Sequence, residues 1–171
     1  MKILGIDPGT ATTGYGIVEV KDGRLEAIDY GIVSTTPKQE TAERLRYIYQ
    51  DISNLISFHC PDQVAVEQLF FNTNTKTALA VGEARGVILL AIQDKNLKSI
   101  DYTPLQVKQA VVGHGRAEKH QVQYMVKNIL KLEQTPKPDD AADALAIAIC
   151  HAHSYQLKEL ERGVRREERE E

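Results

Sequence analysis

Four carboxylates stand where a carboxylate is costly. Asp7 closes the apolar run Ile3-Leu4-Gly5-Ile6, and Glu67 closes Gln63-Val64-Ala65-Val66. Asp140 and Asp143 open a segment that is otherwise Ala, Leu and Ile on almost every side. A buried, unpaired carboxylate costs several kcal/mol or gives up its charge. The neighbouring sequence offers few cations to compensate, and a bound metal would supply that compensation. The three-residue spacing of Asp140 and Asp143 puts both on one helix face. Hard carboxylate oxygens without a His or Cys partner favour magnesium or manganese. Two such ions about 4 Å apart can activate a water and stabilise the leaving oxygen of a phosphodiester.

Each acid also has a plainer reading. Asp7 before Pro8-Gly9 could simply start a turn. Asp139 and Asp140 could cap a helix and oppose its dipole, Asp139 being the better cap. Glu67 and Asp143 occupy no usual capping position.

The elements that must carry these acids follow from hydrophobic period and turn chemistry. Residues 3–6, 15–20 and 25–34 read as strands, with Asp7-Pro8-Gly9 and Lys21-Asp22-Gly23 as turns between them. That is an antiparallel meander. Leu45, Ile48, Ile52, Leu55 and Ile56 share one face of a helix from about Glu40 to Phe58. Residues 63–66 form a fourth strand, Thr77 to Gln93 a helix, and Ser99 to Tyr102 a fifth strand. Thr103-Pro104-Leu105-Gln106 matches a helix start with proline at its first position. Gly113-His114-Gly115 breaks that helix, and Val122, Met125, Val126, Ile129 and Leu130 mark the next. A final helix spans Asp139 to His153. The order describes an α/β fold with a mixed five-stranded sheet, a three-strand antiparallel meander plus parallel strands, flanked by helices. Residues 1–155 form the domain. Residues 156–171 are a Glu/Arg-dense tail, read as a frayed helix or a flexible segment.

Composition narrows the class. The chain has 171 residues, 42% hydrophobic and 26% charged, which suits one soluble globular domain. No apolar run is long enough for a membrane span. The apolar N-terminal run breaks at Asp7, too early for a secretion signal, so a cytoplasmic location is expected. Cys60 and Cys150 have no close-spaced partners, which excludes a zinc ribbon or a disulfide scaffold. Net charge is −3, yet residues 106–131 carry Lys108, Arg116, Lys119, Lys127 and Lys131 against Glu118 alone. That local excess makes Lys108, Arg116 and Lys119 candidate phosphate contacts. All the histidines, including His114, His120, His151 and His153, read as structural.

Several motifs together resemble the RuvC-type Holliday-junction resolvases. Gly5-Ile6-Asp7-Pro8-Gly9-Thr10 with Thr13-Gly14-Tyr15-Gly16 resembles their opening. Val66-Glu67-Gln68 resembles their second acidic motif. Val107-Lys108-Gln109 with Gly115-Arg116-Ala117-Glu118-Lys119 resembles their basic segment, and Asp140-Ala141-Ala142-Asp143-Ala144-Leu145-Ala146 their last motif. The resemblance runs from residue 3 to about 153. It implies a ribonuclease-H-like fold and a homodimer that resolves four-way DNA junctions by paired symmetric nicks, leaving 5′-phosphate and 3′-hydroxyl ends. It implies two Mg2+ ions per site, replaceable by Mn2+, held by Asp7, Glu67, Asp140 and Asp143, with Asp7 bridging them. It implies the branch-migration proteins RuvA and RuvB as partners, phosphate contacts from Lys108 and Lys119, and a base-stacking aromatic at Phe70. The role of the adjacent Phe71 stays open. The small residues Ala80, Gly82, Ala84 and Gly86 mark a candidate dimer helix.

Three other readings compete. Ile6-Asp7-Pro8-Gly9-Thr10 also resembles the first phosphate loop of actin-like and sugar-kinase-like ATPases, which need two lobes where this chain has one. A nuclease that processes ribosomal RNA precursors on the same fold is the second. A non-catalytic junction-binding protein is the third, disfavoured by the retained acids.

Overall fold

The protein is described by a computed structural model covering residues 1–69 and 75–170, with the side chains of 75–77 and 158–170 outside the description. Ten elements follow in chain order: β1 (Lys2–Asp7), β2 (Thr12–Lys21), β3 (Arg24–Ser34), α1 (Thr41–His59), β4 (Gln63–Glu67), α2 (Thr75–Asp94), β5 (Ser99–Tyr102), α3 (Pro104–Val112), α4 (Lys119–Ile129) and α5 (Asp139–Glu170). The sheet order is β3-β2-β1-β4-β5. β1, β2 and β3 pair antiparallel, while β4 lies parallel to β1 and β5 parallel to β4. This is the mixed sheet expected from the sequence. Asp22 and Gly23 both take positive φ, 50° and 73°, as a two-residue hairpin turn requires.

Alternation along the strands sends side chains to two apolar layers. Leu4, Ile6, Ile17, Val64 and Val66 pack against Ile48, Ile52 and Ile56 of α1 and Ile88 and Ile92 of α2. On the other face Ile3, Val18 and Ala65 meet Val107, Val122, Val126 and the buried side of α5. Among the described residues no helix is long and apolar enough to cross a membrane.

α5 lies against the sheet without the usual side-chain spacer. A Cβ on Gly5 would sit 2.2 Å from the Ala144 carbonyl oxygen, and one on Gly14 would sit 2.0 Å from that of Asp140. Hydrogen therefore has to occupy those positions. Facing them, α5 presents Ala141, Ala144 and Ala148, all fully buried. A buried polar chain fixes the helix to the parallel strands. The Tyr102 hydroxyl lies 2.9 Å from Nδ1 of His151, and His151 Nε2 meets the Gln63 side-chain oxygen. Since that oxygen can only accept, Nε2 carries the proton and Nδ1 accepts from Tyr102.

Two local features differ from the sequence expectation. α5 continues past His153 to Glu170, through a stretch rich in the strong helix formers Glu, Arg and Leu. Asp139 is the first residue of the helix rather than its cap, and the first backbone turn is closed by Ala141 donating to the Pro138 carbonyl.

The close approach predicts a stability pattern. Gly14→Ala should lower the unfolding free energy by about 1–3 kcal/mol through overpacking. It should be read as a lower urea midpoint with an unchanged slope. Gly86→Ala, on α2 with nothing within 4 Å of the added methyl, should leave stability unchanged or raise it by up to about 1 kcal/mol.

Candidate active site

The fold brings three of the expected acids to one point. Asp7, Asp140 and Asp143 each offer a carboxylate oxygen, and these atoms all lie within 4.8 Å of one another. Asp7 is the last residue of β1, at the centre of the sheet. Its partner in register is Gly14, the residue over which the Asp140 backbone closes. Glu67 ends β4, the parallel neighbour of β1, and hydrogen-bonds to Asp7. The loop after β1 is braced around the site. The buried Thr13 hydroxyl donates to the Gly9 carbonyl at 2.7 Å, and Thr10 donates to Ala80 of α2 at 2.7 Å.

The electrostatics are those of like charges crowded out of water. Burial, then the carboxylates of Glu67, Asp143 and Asp140, push Asp7 up to about 8. Glu67 is raised by burial and by Asp143, with its bond from Asp7 and the Lys119 charge acting the other way. The protonated form of Asp7 is thereby favoured, and in that form it can donate to the Glu67 carboxylate. Asp143 is raised by burial, and opposed by Lys119.

Among the described residues, Lys119 pairs with this cluster, a partnership that the sequence reading did not anticipate. Lys119 Nζ lies 2.9 Å from Asp143 Oδ2 and 3.7 Å from Asp139 Oδ2. The contact joins the first residue of α4 to the first turns of α5, a pairing no local spacing announces. Partial burial works against the Lys119 charge, but its bond to Asp143 and the nearby aspartates hold the ammonium above its ordinary range. Asp139 lies outside the acid trio and pairs with Lys137 at 3.2 Å, which helps hold its carboxyl below the usual range.

Beside the acids opens a cavity of about 250 Å3. Glu67 at the end of β4 and Asp143 of α5 border it, Lys108 and Lys119 supply positive charge, and Val107, Val122 and Ile147 add apolar lining. Lys108 and Lys119 thus lie together at the acid cluster. Arg116 is exposed in the connection between α3 and α4. Phe70 and Phe71 lie outside the described residues. Of the small residues on α2, Ala84 is buried in the chain's own core, whereas Leu79, Glu83, Gly86 and Leu90 form an exposed stripe.

Comparison with known proteins places this arrangement in context. A family model described as crossover junction endodeoxyribonuclease RuvC matches residues 3–151. A crossover junction endodeoxyribonuclease RuvC of Alkaliphilus metalliredigens is 58% identical over 160 residues, 94% of this chain and 98% of that protein. The structure of Thermus thermophilus RuvC superposes with a TM-score of 0.87 at 37% identity, covering 92% of this chain and 97% of the other. A second T. thermophilus RuvC structure, in complex with Holliday junction substrate, gives 0.85 at 34% identity, covering 92% and 96%. The motifs, the ribonuclease-H-like sheet order and these matches agree over the same span: the chain belongs to the RuvC family of crossover junction endodeoxyribonucleases.

Proposed function

We propose that this chain resolves four-way DNA junctions by metal-assisted hydrolysis of the phosphodiester backbone at Asp7, Glu67, Asp140 and Asp143. The observation that carries the reading is the convergence of Asp7, Asp140 and Asp143 carboxylate oxygens within 4.8 Å of one another. Asp7, Asp140 and Asp143 converge at the end of the central strand beside Glu67, and among the described residues Lys119 is the cation paired with one of them. Donors that are all carboxylate oxygens fit hard divalent cations, magnesium or manganese. Asp7 lies between Glu67 on one side and Asp140 and Asp143 on the other, which suits it to bridge two ions. Bound there, such ions lower the pKa of a water and neutralise charge on a departing 3′-oxygen. The chain's own residues align that chemistry. The glycine contacts of β1 and β2 fix the acids, and Lys108 and Lys119 offer their ammonium groups to the phosphates on either side of the scissile bond.

A four-way junction has two-fold symmetry, and two symmetric nicks need two sites. The exposed Leu79-Glu83-Gly86-Leu90 stripe of α2 supports a homodimer contact through that helix. The family resemblance supports a cytoplasmic role alongside RuvA and RuvB. Incubation of a synthetic junction with Mg2+ should give one nick in each of two opposed strands, with 5′-phosphate ends that ligase seals. Linear duplex and structured RNA should compete poorly. Preferential cutting of RNA would point instead to a nuclease of ribosomal precursors.

The acids set two further expectations. Asp7→Asn should leave junction affinity within about twofold of the unaltered protein. It should slow cleavage at least about a thousandfold, since several kcal/mol of transition-state stabilisation pass through the site. Gel-shift and single-turnover assays separate these effects. The raised Asp7 also fixes a pH dependence. Between the ordinary aspartate range and about 8 the folded protein holds a proton that the unfolded chain has released. Stability in EDTA should therefore fall as pH rises through that window and level off above it. Mg2+ should restore stability most at the alkaline end, and Asp7→Asn should flatten the profile in thermal melts.

A further inference from the structure

Lys119 stands in a position that its own helix disfavours. It is the first residue of α4, where the helix dipole repels a cation. Its backbone is held by a reciprocal cap, in which Glu118 and Gln121 bond to each other's ends of the turn. The side chain is free to turn about its four-carbon stem, and its compensation comes from α5. Asp143 Oδ2 lies at 2.9 Å and Asp139 Oδ2 at 3.7 Å. These two acids differ in kind. Asp143 belongs to the trio that converges within 4.8 Å, and Asp139 does not. Asp139 pairs with Lys137 through Oδ1 and also hydrogen-bonds with the Gln123 side chain, while its Oδ2 is the oxygen that faces Lys119.

Resting on the metal-site reading above, we propose that Lys119 and the divalent cation compete for Asp143, and that Asp139 is the second seat to which Lys119 moves when the cation binds. An ammonium at 2.9 Å from a carboxylate is a close like-charge neighbour of any divalent cation on that same carboxylate. The two contacts cannot both be held without strong repulsion. Rotation of the Lys119 side chain alone carries the ammonium from Asp143 to Asp139, because the two carboxylates already flank it. Lys119 lines the cavity beside the acids, so the move also frees it to approach a phosphate there. Metal binding and phosphate binding are then linked through one side chain, and by reciprocity each favours the other.

The test is Mn2+ binding to the full-length protein without DNA, read from the EPR signal of free manganese. Lys119→Gln should tighten binding about fivefold, the factor expected for loss of one partly exposed ion pair. Lys108→Gln removes the same charge from the same cavity wall without an ion pair to these acids, and should change affinity less than twofold. Asp139→Asn should weaken binding in the unaltered protein and have no effect in the Lys119→Gln background. Equal effects of the two lysine variants would overturn competition in favour of general electrostatics. So would an Asp139→Asn effect that persists without Lys119. Asp7→Asn serves as the separate check on the metal site: if it binds manganese as tightly as the unaltered protein, the site assignment fails and the competition fails with it. Circular dichroism of each variant confirms that the fold is intact.

Discussion

The active site depends on how closely α5 approaches β1 and β2. Helices ordinarily pack on sheets through interdigitating side chains. Here Gly5, Gly14 and Gly16 remove that layer on the sheet side, and Ala141, Ala144 and Ala148 thin it on the helix side. The contact is backbone to backbone at Gly14, whose absent Cβ leaves room for the Asp140 carbonyl. Gly14 is also the register partner of Asp7. One missing methyl group thus brings the acid at the end of the central strand and the acids at the start of the helix into the same few ångströms. His151, eight residues after Asp143 and about 12 Å along the helix, locks α5 lengthwise by bonding to both Tyr102 and Gln63.

Convergence of this kind opposes stability. Carboxylates crowded together out of water repel, which raises the Asp7 pKa, and Lys119 pairs across from α4 with Asp143. Apolar layers on both faces of the sheet offset the cost. Functional sites commonly store such strain. A cation that relieves it binds more strongly for that reason, so the repulsion that destabilises the fold is also the source of the site's affinity.

Much of this was legible in the sequence because it is periodic. Strand alternation, helical spacing and the Asp22-Gly23 turn each follow from local chemistry, and they gave the strands, the antiparallel meander and the helix positions. Glu67 and Asp143 were legible through placement, since neither occupies a usual turn or capping position, whereas Asp7 and Asp140 each had a plainer reading. What stayed hidden was tertiary. Nothing near Lys119 in sequence points to Asp143, because their contact exists only once α4 and α5 pack. The roles of Gly5, Gly14 and Gly16 depend on a helix more than a hundred residues away. The small residues of α2 suggested an interface, but Ala84 packs inward. The exposed stripe comes from Leu79 and Leu90, which look like ordinary core residues in a linear reading.

Asp139 and Asp140 show how packing settles what spacing leaves open. Adjacent residues on an α-helix point about 100° apart, so only one of the pair can face the sheet. Gly14 chooses between them. With the Asp140 backbone seated over that glycine, the Asp140 side chain joins Asp7 and Asp143 at the strand end. Asp139 is then turned toward α4 and the preceding loop, where it meets Lys119 and Lys137. The first of two identical residues is left to pair with the protein's own cations, and the second to join the acid cluster. Exchanging the two would require rotating α5 by about a quarter turn, which would drive Ala144 away from Gly5 and open the contact on which the site is built.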